Sequence, residues 1–179
     1  MFKNCFEDML NLNNYTWYSH NLGGFDVVFI LKILLDNYTK TRVQFKDGKP
    51  WSIKVSLTTK DTNNKNITKN IVFKDSYKIL PLSIRNLIKT LVITTQKLYF
   101  PYLFMKTDNI NYEGKFPDKS FFYNISYLEY KKIAEEFKDK NWILKDELLK
   151  YLKNDIVLLY QIIDKFSKEI YELENLISY

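Results

Sequence analysis

Between Thr41 and Ile79 the periodicity of the apolar residues changes to two. Val43 and Phe45, then Ile53, Val55 and Leu57, then Ile67 to Phe73 read as three strands. Asp47-Gly48 supplies a hairpin turn between the first two, and the polar run Lys60 to Asn66 the tip of a second hairpin. A three-stranded antiparallel meander is the simplest account. The rest of the chain then has to cover a sheet.

Upstream, Phe2, Phe6, Met9 and Leu10 fall on one helical face over residues 2–12. Tyr15 to Ser19, rich in aromatic and hydroxyl residues, reads as a strand. Gly23-Gly24 is a turn, and Phe25 to Asn37 a second helix. Downstream, Pro81 fits the first position of a short helix ending at Leu91. Residues 92–104 read as extended or irregular, and 105–124 as an exposed insertion. Ser126 with Glu129 forms a capping box for a helix from Tyr127 to Lys138. The longest periodic segment, Lys145 to Leu176, aligns Leu148, Leu152, Ile156, Leu159, Ile163, Phe166, Ile170 and Leu173 in one stripe. The expectation is a single domain over residues 1–179.

Composition narrows the chemistry. With 46% hydrophobic and 17% aromatic residues the chain can bury a core. The net charge of +6 comes almost wholly from lysine, since Arg42 and Arg85 are the only arginines; such a surface suits a polyanion. One cysteine, Cys5, allows no disulfide framework, and one histidine, His20, removes Ser-His-Asp, Cys-His and His-rich zinc chemistry. Any chemistry therefore falls to carboxylates and tyrosines. The apolar run Val27 to Leu35 is interrupted by Lys32 and too short for a bilayer, so no membrane partner is expected. Lys, Asn, Ile, Tyr and Phe abound while alanine occurs once, at Ala134, the imprint of an A/T-rich genome such as an organelle's.

Two acids stand out. Asp26 opens a helix directly after the glycine turn. Asp155 lies four residues after Tyr151, on the same face of the last helix and at the border of its apolar stripe. Two aspartates from distant elements, one beside a tyrosine and one beside an asparagine, can form part of a metal-dependent phosphodiesterase, which holds divalent ions on several carboxylates. Taken alone, Asp26 is also an acid favoured near a helix amino terminus, and Tyr151 an amphipathic residue at a core edge.

Their order and surroundings add to this. Residues 18–35, with Asn21-Leu22-Gly23-Gly24-Phe25-Asp26 at their centre, resemble the second exonuclease motif of B-family DNA polymerases, above all the protein-primed enzymes of mitochondrial linear plasmids and related viruses. Tyr151-Leu152-Lys153-Asn154-Asp155 resembles the third. Between them, residues 73–81 resemble the family's Asp-Ser-x-x-x-Leu-Pro segment, and residues 97–102 its Lys-x-x-hydrophobic segment followed by Phe-Pro-Tyr. The resemblance implies metal-binding carboxylates at Asp26 and Asp155, a water-orienting Tyr151, and Lys97 near the scissile phosphate. It implies contacts from Asn21, Phe25 and Ser76 to a single-stranded 3′ end. Tyr77 departs from the usual leucine beside that serine, but an aromatic ring can stack on a base.

The first exonuclease motif, Asp-x-Glu, does not occur in the twenty residues before Asn21; Glu7-Asp8 has the reverse order and lies on a helix. The resemblance thus implies an incomplete α/β ribonuclease H-like exonuclease fold lacking its N-terminal strands, with strand Tyr15–Ser19 left open-edged until a protein partner covers it. The expected function is that of a truncated exonuclease-domain homologue without catalysis. It would bind nucleic acid, single-stranded DNA by resemblance or RNA, or be built into a mitochondrial assembly such as the ribosome. The alternative is an active 3′–5′ proofreading exonuclease, dependent on Mg²⁺ or Mn²⁺ and completed by a separate N-terminal segment.

Overall fold

The computed structural model describes residues 2–12, 14–24, 26–38 and 40–177. The architecture is mixed α/β, with the antiparallel meander and long C-terminal helix anticipated from the sequence. Where one domain was expected, the chain forms two compact units, residues 1–83 and 84–179.

The first unit is a four-stranded sheet with two helices. Helix α1 (Phe2–Asn11) precedes β1 (Tyr15–Ser19), and α2 (Val27–Asn37) leads into β2 (Lys40–Lys46), β3 (Lys49–Lys60) and β4 (Asn66–Asp75). The strand order is β1-β4-β3-β2. The meander β2-β3-β4 is antiparallel, and Asp47-Gly48 turns the first hairpin with both residues at positive φ, the geometry that matches strand twist. At the second tip the Asp61 carboxylate accepts hydrogen bonds from the amides of Asn63 and Lys65. β1 joins the other side of β4 in parallel, Tyr15 opposite Ile71 and Ser19 opposite Asp75, and is an edge strand of the sheet.

Alternation puts Ile53, Val55, Ile71 and Phe73 on one face, where they pack with Phe6, Leu22, Val27, Leu34 and Tyr38. Phe45, expected to continue the inward pattern of Val43, is exposed instead. The register shifts between Gln44 and Phe45, which pair with Ser52 and Pro50 and leave Trp51 of β3 without a partner in the ladder, so the extra residue is on β3.

In the second unit α3 (Ile84–Thr90) begins three residues later than expected, and Pro81 lies outside it. Next come β5 (Glu113–Gly114), α4 (Tyr127–Glu136), β6 (Trp142–Ile143) and α5 (Leu144–Ile177). The capping box of α4 is present in full: the Ser126 hydroxyl accepts from the Glu129 amide, and the Glu129 carboxylate accepts from the Ser126 amide. The core is aromatic. Trp142 is buried among Phe100, Phe104, Tyr112 and Phe116, and Phe116 stacks flat on Phe137 at 5.2 Å. Residues 105–108 are exposed, as expected for an insertion, but the same segment is anchored further on. Tyr112 and Phe116 pack on the Trp142 cluster, Phe122 is buried, and β5 pairs with β6.

Helix α5 buries a different face from the one its period suggested. Leu144, Tyr151, Leu158 and Ile162 are buried, while Leu152, Ile156, Ile170 and Leu173 of the expected stripe are exposed. The helix is apolar over more than one stripe, so period alone does not select the buried one. Tyr151 consequently lies on the buried face rather than at its border. No helix among the described residues is long and apolar enough to cross a membrane.

Candidate functional site

In the first unit the loop after β1 is organised by one buried carboxylate. Asp75, at the end of β4 and 1% exposed, accepts hydrogen bonds from the amides of Asn21 (2.9 Å), Gly23 (3.1 Å) and Tyr77 (3.0 Å). The parallel register brings Ser19 opposite Asp75 and so delivers the Asn21 and Gly23 amides to it, while the Tyr77 amide comes from the turn that follows Asp75 itself. Asn21 adopts φ +67° and its carbonyl accepts from the Gly24 amide, closing the turn Leu22–Gly24. Both glycines are required by close approach. A Cβ on Gly23 would collide with the Pro50 carbonyl of β3, and one on Gly24 with the side-chain amide of Asn21. The sequence Asn-x-Gly-Gly thus seats the Asn21 side chain against bare backbone, in an exposed position.

Asp26 precedes α2, but its carboxylate makes no capping hydrogen bond to that helix. It accepts instead from the Ser19 hydroxyl at 2.6 Å. Ser76 is completely buried, with its hydroxyl 3.2 Å from the Ser19 carbonyl and 3.0 Å from His20 Nδ1. The single Ser76 proton goes to the Ser19 carbonyl, and His20 Nε2, 2.9 Å from the Leu82 carbonyl, donates there. As placed, Ser76 braces the loop and offers no surface to a strand, contrary to the contact the resemblance implied. Tyr77 is partly exposed and meets the His20 ring edge-on. Phe25 lies outside the described residues.

The second unit brings together Lys97, Tyr151 and Asp155. Lys97 Nζ donates to Asp155 Oδ1 at 2.5 Å and to Tyr151 Oη at 2.8 Å, and Tyr102 donates to the same Tyr151 oxygen at 2.6 Å. The Lys97 segment has no regular structure of its own and is held from two sides. Asn154, on α5 between Tyr151 and Asp155, accepts from the Leu98 amide and donates to the Gln96 carbonyl, both at 3.1 Å. Arg85, on α3, donates to the carbonyls of Lys97 and Leu98 while its guanidinium lies 3.8 Å from the centroid of the Tyr99 ring. Asp75, Asn154, Arg85 and Tyr102 were not singled out from the sequence. Asp75 and Tyr102 stand inside the family-like motifs without a role of their own, Asn154 is a polar side chain beside Tyr151 and Asp155, and Arg85 carries no local signal.

Burial pushes the Tyr151 hydroxyl far above its ordinary range, helped by its hydrogen bond with Tyr102 and by the Asp155 charge; Tyr102 is raised as well, chiefly by burial. Both are neutral hydroxyls at any physiological pH. The consequence for stability has a definite sign. Below about pH 10 neither state of the protein loses these protons; above it the unfolded chain ionises while the folded one does not, so stability falls as pH rises. Alkaline titration of tyrosine absorbance should therefore show a fraction that ionises only with unfolding, and Tyr151→Phe should remove part of it. Full ionisation of the folded protein near the ordinary value would contradict this.

The carboxylates present do not by themselves fit a two-ion metal site. No group of three or more His, Cys, Asp or Glu side chains clusters among the described residues, and Asp155 is engaged by an ammonium.

Comparison with known proteins gives the family. Residues 7–177 match the family described as DNA polymerase type B, organellar and viral, and the chain belongs to that family. It is similar to a probable DNA polymerase of Neurospora intermedia, 33% identical over 94% of this chain and 18% of that protein. Probable DNA polymerases of Podospora anserina (28%, covering 96% and 18%) and Ascobolus immersus (33%, covering 93% and 14%) are similar too. The chain spans less than a fifth of the length of these relatives. Among solved structures, phi29 DNA polymerase complexed with single-stranded DNA aligns with 87% of this chain and 25% of its own, at 21% identity and a TM-score of 0.44.

Proposed function

We propose that this chain is the exonuclease-type region of an organellar type B DNA polymerase, that it binds the 3′ end of a single DNA strand, and that these residues alone hydrolyse it little or not at all. The observation that carries the reading is the Lys97–Tyr151–Asp155 cluster, which is fastened at its backbone by Arg85 and Asn154. Tyr151, kept neutral, would orient a water, and Lys97 would meet a phosphate oxygen. Asn21 and Tyr77 are the exposed groups that would meet sugar and base, on a loop braced by Ser76 and Asp75. Asp26 and Asp155 are the carboxylates that would ligate Mg²⁺ or Mn²⁺ in the family. The two together fall short of what a two-ion phosphodiesterase needs, which supports weak hydrolysis by this chain alone. Location in mitochondria accords with a family that is organellar and viral. That β1 is an edge strand among the described residues supports a protein partner at that strand, in a polymerase or in an assembly such as the mitochondrial ribosome.

A second reading, an active proofreading exonuclease completed by a separate segment bearing Asp-x-Glu, is favoured by the Lys97 cluster being fully assembled. One assay separates the two. The chain is incubated with a labelled single-stranded oligonucleotide and Mg²⁺ or Mn²⁺, and both retention and nucleotide release are followed. The expected result is salt-sensitive binding, weakened in Asn21→Ala, with no release. Release that vanishes in Asp155→Ala would overturn the inactive reading, and absence of binding at low salt would overturn both.

A further inference from the structure

A cavity of about 610 Å³ opens beside the Lys97 segment, within the size range of small-molecule sites. Its walls combine charge with apolar surface in a way that suits one ligand class. Ile88, Leu98 and Ile133 provide apolar wall. Lys89 and Lys132 line it with exposed ammonium groups that no ion pair among the described residues engages. Of the lining carboxylates, Glu129 is already committed. It accepts from the hydroxyls of Tyr99 and Ser126 and from the Ser126 amide, and these bonds hold it ionised below the usual carboxylate range. Arg85, its guanidinium carbon over the Tyr99 ring, adds a third positive charge whose donors face the Lys97 and Leu98 carbonyls. Glu136 is the remaining acid, so the lining has an excess of positive charge over an apolar wall.

We propose that this cavity binds a nucleoside 5′-monophosphate, the phosphate against Lys89 and Lys132 and the base against Ile88, Leu98 and Ile133. A bare phosphate would leave the apolar wall wet, and a nucleoside would leave the ammonium groups unused; the mononucleotide satisfies both. The inference rests on the exonuclease-type reading above, in which Lys97 lies at the scissile phosphate. It adds a place beside Lys97 for the mononucleotide that such hydrolysis releases.

The test is equilibrium binding to the full chain without divalent cations, by calorimetry or NMR shift titration, with deoxyadenosine 5′-monophosphate, deoxyadenosine and inorganic phosphate as probes. The mononucleotide is expected to bind at least about tenfold more tightly than either half, and Lys89→Ala/Lys132→Ala to weaken it about tenfold. These lysines are exposed, so the variant should fold, and its thermal transition checks this. A mononucleotide no tighter than phosphate, or indifferent to the double variant, would overturn the proposal. Strand binding without mononucleotide binding defeats this inference alone. Mononucleotide binding without strand binding defeats the exonuclease reading and leaves a nucleotide site.

Discussion

Asp75→Ala is expected to destabilise the first unit by about 4 kcal/mol, because three backbone amides lose their acceptor in a place water does not reach. Asp75→Asn is expected to cost about 2–3 kcal/mol: the amide keeps one acceptor oxygen, but its NH₂ then faces a backbone donor, and the charge-assisted character is gone. Urea denaturation gives both numbers. Hydrogen exchange gives the more discriminating one. In Asp75→Asn the amides of Asn21, Gly23 and Tyr77 should exchange faster while the β3–β4 ladder stays protected. Because Asn21 sits at φ +67° only as long as that loop is fastened, single-strand binding should fall in the same variant without any change to an exposed residue. Unchanged exchange at the three amides would show that the loop is held by something else.

This carboxylate illustrates what the sequence does and does not reveal. The motif Asp-Ser-x-x-x-Leu-Pro is visible around Asp75, yet the residue for which the resemblance implies a contact is Ser76, which is buried against Ser19 and His20. The role of Asp75 depends on backbone amides fifty residues away, and backbone donors leave no mark in side-chain periodicity. The parallel pairing of β1 with β4 was hidden for the same reason. Local alternation identified β2, β3 and β4 and their turns, because hairpin pairing is written in adjacent residues. A parallel neighbour reached through α2 and two further strands is not. Phe45 shows the limit within a strand: alternation assigns it inward, yet at the register shift near the hairpin it is exposed.

In the second unit the Tyr-x-x-x-Asp spacing puts Tyr151 and Asp155 one turn apart on α5, and Lys97 Nζ donates to both side chains. Helix α5 was legible as an element, with its length and its start near residue 145, but its buried face was not, since Leu152 and Ile156 are as apolar as Leu158 and Ile162. Residues 105–124 looked like a loose insertion because no period runs through them. Their anchors, Tyr112, Phe116 and Phe122, work singly against Trp142 and its neighbours rather than as a repeating face.

The Lys97–Asp155 pair should show strong coupling in a double-mutant cycle. Its side chains are only 17% and 28% exposed, so removing one partner strands the other charge in a largely dry setting. Residual exposure lets water recover part of the loss, which puts Lys97→Met and Asp155→Asn at about 1–3 kcal/mol each. The double variant leaves two neutral groups of similar shape beside Tyr151 and should cost less than the sum, by about 1 kcal/mol or more. Lys97→Arg should not rescue the single variant, since a planar guanidinium cannot take the place of a compact ammonium between Tyr151 Oη and Asp155. The clamp makes a sharper statement possible. Asn154 fixes the backbone on both sides of Lys97, so Asn154→Ala should lose about 1–2 kcal/mol of stability and also lower the Lys97–Asp155 coupling, because a freed segment no longer aims its ammonium. If the coupling is unchanged in Asn154→Ala, the pair finds itself without help and the clamp is structural only. If the cycle is additive from the outset, Lys97 and Asp155 are neighbours without being partners, and the cluster no longer supports the exonuclease-type reading.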